Sequence, residues 1–77
     1  MEAGLDSIRA GMRAVVMQVQ AKPVLARRFY QIGLRPGTVV YCRYRSPGGK
    51  VVALEFRDTA IAIRTKDLHV IRIACIM

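Results

Sequence analysis

Residues 26–40 read ARRFYQIGLRPGTVV, and within them the chain passes from a helical pattern to an extended one. Leu25, Phe29 and Ile32 stand at i, i+4 and i+7, which puts them on one face of a short helix from Val24 to Ile32. Lys22-Pro23 opens it, because proline lacks the N–H that the first helical turn leaves unpaired anyway. Gly33 follows the last periodic residue, where a helix commonly ends in a left-handed conformation, and Leu34 can fold back over that end. Arg35-Pro36-Gly37-Thr38 then reads as a type II turn with proline at i+1 and glycine at i+2. It reverses the chain into a strand from Val39 to Arg45, with Val40, Cys42 and Tyr44 on one side.

On the N-terminal side, Arg13 to Gln20 alternates, with Val15, Met17 and Val19 on one face, as a half-buried strand does. Before it, Leu5, Ile8 and Met12 have helical spacing but are bracketed by Gly4 and Gly11, so a single turn plugging one end of the core is expected. On the C-terminal side, Ser46-Pro47-Gly48-Gly49 turns the chain, and Val52, Leu54 and Phe56 alternate with more polar neighbours. Asp58-Thr59 is a tight connection to Ala60–Arg64, whose inward pair is Ile61 and Ile63. Thr65 is placed to cap one turn through Leu68, before a last strand from Val70 to Ala74 with Ile71 and Ile73 inward. The expectation is a mostly β chain: a small, strongly bent five-stranded barrel with one short helix between the first two strands, residues 1–77 forming a single domain.

A chain of 77 residues with 53% hydrophobic content can build one core, near the lower size limit for folding without metal or disulfide. The two cysteines, Cys42 and Cys75, are far apart in sequence and form no CxxC pair, so both read as buried thiols of a reducing compartment. No apolar run has the length of a signal-peptide core or of a membrane span, which points to a soluble, cytoplasmic protein. The net charge of +8 is concentrated: no carboxylate lies between Asp6 and Glu55, while nine arginines and lysines do. Such a field favours an acidic partner, whether nucleic acid, an anionic membrane surface or an acidic protein face.

Catalysis finds little support. His69 is the single histidine and reads as a neutral, locally hydrogen-bonded imidazole; the five acids are scattered, and no metal-ligand spacing occurs. No cofactor and no small-molecule substrate are expected. Gly48-Gly49-Lys50 joins two strands and lacks the hydroxyl residue and helix of a phosphate-binding loop. Two readings stand. Arg27 and Arg28 beside Phe29 and Tyr30 resemble a basic aromatic segment for nucleic acid, with Arg43, Arg45 and Arg57 as its phosphate contacts; alternatively, Arg43, Arg45 and Arg57 form a solvated strand face whose charge also protects an edge from sheet addition. A groove for proline-rich peptides would need clustered aromatics, which Tyr30, Tyr41 and Tyr44 do not provide in sequence. The apolar tail Ala74-Cys75-Ile76-Met77 either lengthens the last strand or packs on a partner or a second copy, so a homo-oligomer stays open.

Residues Arg28 to Thr38 resemble the RL-x-[DE]-[LM]-GL-x-PG-[TS] signature of the ferrous iron transport protein A (FeoA) family. Leu5-x-x-Ile8-x-x-Gly11 resembles that family's opening, Ile61-Ala62-Ile63-Arg64 its [IL]-A-L-R strand, and Leu68–Ile73 its closing A-x-x-I-x-V. The resemblance implies an SH3-like barrel and a small non-enzymatic accessory of ferrous iron uptake. It would be cytoplasmic, reaching the inner face of the membrane through its partner, the membrane permease that carries a cytosolic G domain. The matched residues Phe29, Ile32, Gly33, Leu34, Pro36 and Gly37 are then structural, with Phe29, Ile32 and Leu34 filling the barrel mouth. Arg27, Arg28, Tyr30, Arg35 and Arg64 are the candidates for partner contact, Arg64 alternatively bonding loop carbonyls. The chain departs from the signature in three places. Gln31 replaces the usual acid, Phe29 replaces leucine, and Pro47-Gly48-Gly49-Lys50-Val51 replaces a P-x-G-[DN]-P loop.

Overall fold

The computed structural model describes residues 2–76. In chain order it contains β1 (Glu2–Gly4), β2 (Arg13–Val19), α1 (Pro23–Ile32), β3 (Val39–Arg45), β4 (Val51–Phe56), β5 (Thr59–Arg64) and β6 (Ile71–Cys75). Short 3-10 turns occupy Leu5–Ser7 and Thr65–Asp67. The strands form one six-stranded antiparallel sheet in the order β1-β6-β2-β3-β4-β5. The chain is therefore mostly β with a short helix, as the patterning implies, and carries a sixth strand beyond the five expected. That strand, β1, has three residues, too few to display an alternation, and exists by pairing with Arg72–Ala74 of β6.

Two bulges bend the sheet and correct two face assignments. In β2 the register passes from Val16 opposite Ile73 to Gln18 opposite Arg72, leaving Met17 as an extra residue. Ala14 and Val16 face the core, Met17 and Gln18 both face out, and Val19 returns to the core side. The expected common face of Val15, Met17 and Val19 is thus broken at Val19, because the bulge shifts the alternation by one residue; valine on both faces had left the period without a direction. In β3 the register jumps between Cys42 and Tyr44. Val40 and Cys42 are buried as expected, but Tyr44 turns out and is 55% exposed.

The second bulge also brings Arg45 inward. Its guanidinium donates to the backbone carbonyls of Asp6 and Ile8, both at 2.9 Å. Leu5 and Ile8, on the segment those carbonyls belong to, are fully buried and close one end of the core as expected of the N-terminal turn. On the other strands Val52, Leu54, Phe56, Ile71 and Ile73 are buried in the expected alternation.

The helix end follows the capping logic of its sequence. Gly33 has φ +104°, its N–H donates to the Tyr30 carbonyl, and the Leu34 N–H donates back to Phe29 O at 2.9 Å. A Cβ at Gly33 would lie 3.3 Å from the Phe56 ring and 3.2 Å from Arg57 Cδ, so side chains are opposed by conformation and by space together. Gly33→Ala is expected to lower stability by roughly 1–2 kcal/mol, the left-handed penalty of an L-residue, read as a lower urea midpoint at unchanged m-value. Gly37 has φ +95° and the Thr38 N–H donates to Arg35 O, which is the type II geometry of Arg35-Pro36-Gly37-Thr38. The Thr38 hydroxyl ties this turn back to the helix by donating to Gly33 O at 2.8 Å.

Two local expectations are corrected. Thr65 does not cap the turn after it; its hydroxyl donates to the carbonyls of Gly49 and Lys50, where the neighbouring β-turn offers better-placed acceptors. The tail lengthens β6, with Cys75 opposite Ala14 and the Ile76 N–H donating to Arg13 O, but Cys75 is exposed rather than buried because it lies beyond the last inward residue, Ile73. Met77 lies outside the described residues.

Cys42 behaves as a core residue. Burial pushes its thiol above the ordinary value, and the bond to Tyr44 O and the charge of Arg45 oppose that only in part. A bulky thiol reagent at neutral pH is expected to modify Cys75 quickly and Cys42 only after denaturation. The raised value has a definite sign for stability. Above about pH 8.5 the unfolded thiol ionises while the native one keeps its proton, so the Cys42 contribution is level below that pH and declines as pH rises beyond it.

Candidate binding groove between the helix and the edge strand

Helix α1 and strand β5 present apolar residues to each other across a shallow surface groove of ≈ 320 Å³. Leu25, Phe29 and Ile32 come from the helix and Ile61 and Ile63 from the strand, with Arg28, Arg64 and Asp67 on the rim. The helix residues arrive there through the i, i+4, i+7 spacing, and the strand residues through the period of two. Phe29 is buried at the base, whereas Leu25, Ile61 and Ile63 are half-buried. Ile32, expected to fill the barrel mouth, is 44% exposed and belongs to the open part of the groove. The reason is its position at the helix end, where the chain turns toward Gly33 and Leu34 takes the buried place instead.

The structure brings together two of the candidate contact residues and separates the others. Arg28 and Arg64, far apart in sequence, rim the same groove. Arg64 Nε lies 3.3 Å from Asp67 Oδ2 in an exposed pair, a contact worth little in water, so Arg64 remains available to a partner carboxylate. Among the described residues its one side-chain hydrogen bond is to Asp67; Arg45, at the end of β3, is the arginine that bonds loop carbonyls. Arg27 lines the outer crest of the helix with Pro23, Val24 and Gln31. Tyr30, two residues after Arg28, is rotated by about 200° around the helix and lies on its other flank. Arg35 donates to the Tyr30 carbonyl at 3.2 Å, stabilising the helix C-terminus.

The arginines proposed as phosphate contacts are largely engaged. Arg43 Nη1 bonds Glu55 Oε2 at 2.8 Å, and Arg45 faces the carbonyls described above. His69 Nδ1 lies 2.8 Å from the Lys66 carbonyl, the local bond its sequence position suggested. Among the described residues, no three His, Cys, Asp or Glu side chains come together as a metal site. No helix among them is long and apolar enough to cross a membrane. Leu25, Ile61, Ile63 and Asp67 were not legible as site residues. The only signal was that both the helix and the penultimate strand offered an apolar face, and those two faces are the walls of one groove.

Solved structures share this architecture. A FeoA-like protein from Clostridium acetobutylicum superposes with a TM-score of 0.89 at 20% identity, over 99% of this chain and 88% of that one. The FeoA protein of Chlorobium tepidum gives 0.84 at 24% identity, covering 96% and 70%. FeoA of Stenotrophomonas maltophilia, solved with zinc, gives 0.79 at 25% identity, covering 92% and 88%. That protein is described as an SH3 domain protein proposed to act as a bacterial ferrous iron transport activating factor, and the shared fold makes the present chain SH3-like. No curated protein sequence matches the chain significantly. The FeoA domain model matches residues 4–75, which include the helix, the Gly-Leu and Pro-Gly corner and both walls of the groove, and the chain therefore belongs to the FeoA family.

Proposed function

We propose that this protein is a cytoplasmic, non-enzymatic accessory of ferrous iron uptake that acts by binding the membrane permease carrying a cytosolic G domain. The observation that carries this reading is the placement of Arg28 and Arg64 on the rim of one apolar groove. Apolar surface supplies affinity, and flanking charge selects an acidic partner and speeds its approach. Family membership supplies the transport context, and the activating role described for the Stenotrophomonas maltophilia relative is consistent with it. The +8 net charge suits an acidic protein face close to the membrane.

The test is recovery of the permease from detergent-solubilised membranes by the tagged protein at about 0.15 M salt, where charges more than roughly 8 Å apart are screened. Wild-type protein is expected to recover it with or without nuclease. The double reversal Arg28→Glu with Arg64→Glu is expected to abolish recovery while leaving thermal unfolding nearly unchanged, since both side chains are exposed. Arg27→Glu, on the crest of the helix, serves as the control and is expected to bind. Undiminished recovery by the double variant would remove the groove from the interface, and recovery of nucleic acid alone would replace the reading.

A further inference from the structure

Strand β5 is an edge. It pairs with β4 on one side, and it ends the sheet order. Phe56 opposite Thr59 closes a two-residue hairpin through Arg57 and Asp58, both with positive φ. In an antiparallel ladder alternate pairs exchange hydrogen bonds, and the closing pair of such a hairpin is a bonded one. The bonded residues of β5 are then Thr59, Ile61 and Ile63, and the series continues with the Thr65 N–H donating to Lys50 O at 2.8 Å. It follows that Ala60, Ala62 and Arg64 direct their N–H and C=O groups away from β4. Among the described residues no backbone or side-chain hydrogen bond reaches those groups from any other element.

We propose that this free edge takes up an extended, alternately apolar and acidic segment of the partner as an added strand of the sheet. The proposal rests on the reading of the α1–β5 groove as the partner face and states how the partner is held there. An added strand beside β5 would lie along the groove that separates β5 from α1, so one row of its side chains meets Ile32, Ile61 and Ile63. Carboxylates flanking that row meet Arg28 and Arg64, and beyond Arg64 the surface continues with Lys50 and Lys66. The one acid on the rim, Asp67, is already paired with Arg64. Between Arg57 and Arg64 the outward positions of the edge are the small residues Ala60 and Ala62, with no proline or lysine in the strand to repel an incoming one. A second copy of the chain fits this edge poorly, because it would bring two molecules of net charge +8 edge to edge.

Hydrogen exchange, resolved to single amides, of the whole protein with and without the detergent-solubilised permease tests this. Slowed exchange of the Ala60, Ala62 and Arg64 amides on binding, by tenfold or more, is the expected result. Ala62→Pro removes an outward donor and leaves the β4 ladder intact, a position at which an edge strand tolerates proline. It is expected to weaken permease binding at least tenfold, while Ala62→Thr, which keeps the N–H, binds within threefold. If the Arg28→Glu, Arg64→Glu variant loses binding while the three amides stay unprotected in the wild-type complex, strand addition is overturned and the groove reading survives. If wild-type protein does not bind the permease, both fall. Protection that appears in the protein alone and grows with its concentration makes the occupant a second copy and overturns the proposal. The exchange readout on wild-type protein holds even if Ala62→Pro does not fold.

Discussion

Phe56→Ala is expected to destabilise the protein by about 3–5 kcal/mol, the usual cost of removing a buried phenylalanine together with the cavity left behind. The ring is 3% exposed and sits under the helix C-terminus, against the position where Gly33 lacks a side chain. Its loss therefore weakens the sheet core and the seat of the capped helix end at once. A chain of 77 residues is expected to have a total stability of roughly 4–12 kcal/mol, so this one change removes a large fraction of it. Urea unfolding should show the midpoint falling steeply at constant m-value. Tyr44→Ala is the informative contrast. By sequence alternation Tyr44 belongs inside, but the β3 bulge exposes it, and its truncation is expected to cost about 0.5 kcal/mol or less. Equal losses for the two variants would contradict the bulged register.

Arg45→Leu is expected to cost roughly 2–3 kcal/mol. Two charge-assisted hydrogen bonds to the Asp6 and Ile8 carbonyls vanish, and both acceptors lose their partner beside the buried Leu5 and Ile8. For a domain of this size, the melting temperature should drop on the order of 10–20 °C. Arg43→Leu, two residues away, removes only an exposed pair with Glu55 and should change stability by about 0.5 kcal/mol or less. The two arginines look equivalent in the run Tyr41-Cys42-Arg43-Tyr44-Arg45, and one extra residue in the strand separates a structural group from a solvated one. Comparable melting temperatures for the two variants would show that Arg45 does not clamp the N-terminal turn.

These contrasts mark how far the chain could be read before its structure was known. The backbone of the corner at residues 26–40 was legible, because capping, a type II turn and amphipathic spacing are local and depend on residues only a few positions apart, although Ile32 proved exposed. The core of β4 and β6 was legible for the same reason, each strand having a single apolar face. β2 and β3 were misread at Val19 and Tyr44, since a bulge is set by how two strands share a register and leaves no mark in either strand alone.

The candidate site divides along the same line. The amino-acid sequence by itself determined that the protein is small, basic and mostly β, that a helix must stop at Gly33 and reverse at Pro36-Gly37, and that Arg28 and Arg64 were worth attention. Only the tertiary structure decided that Arg28 and Arg64 share one groove while Tyr30 and Arg35 stand apart from it. It also decided that Ile32 is exposed, that Arg45 rather than Arg64 binds carbonyls, and that β5 ends the sheet. Backbone conformation is governed by neighbours along the chain, whereas a groove, a carbonyl clamp and a free edge are relations between segments. Those relations are set by the packing of one apolar core and by the order in which strands pair.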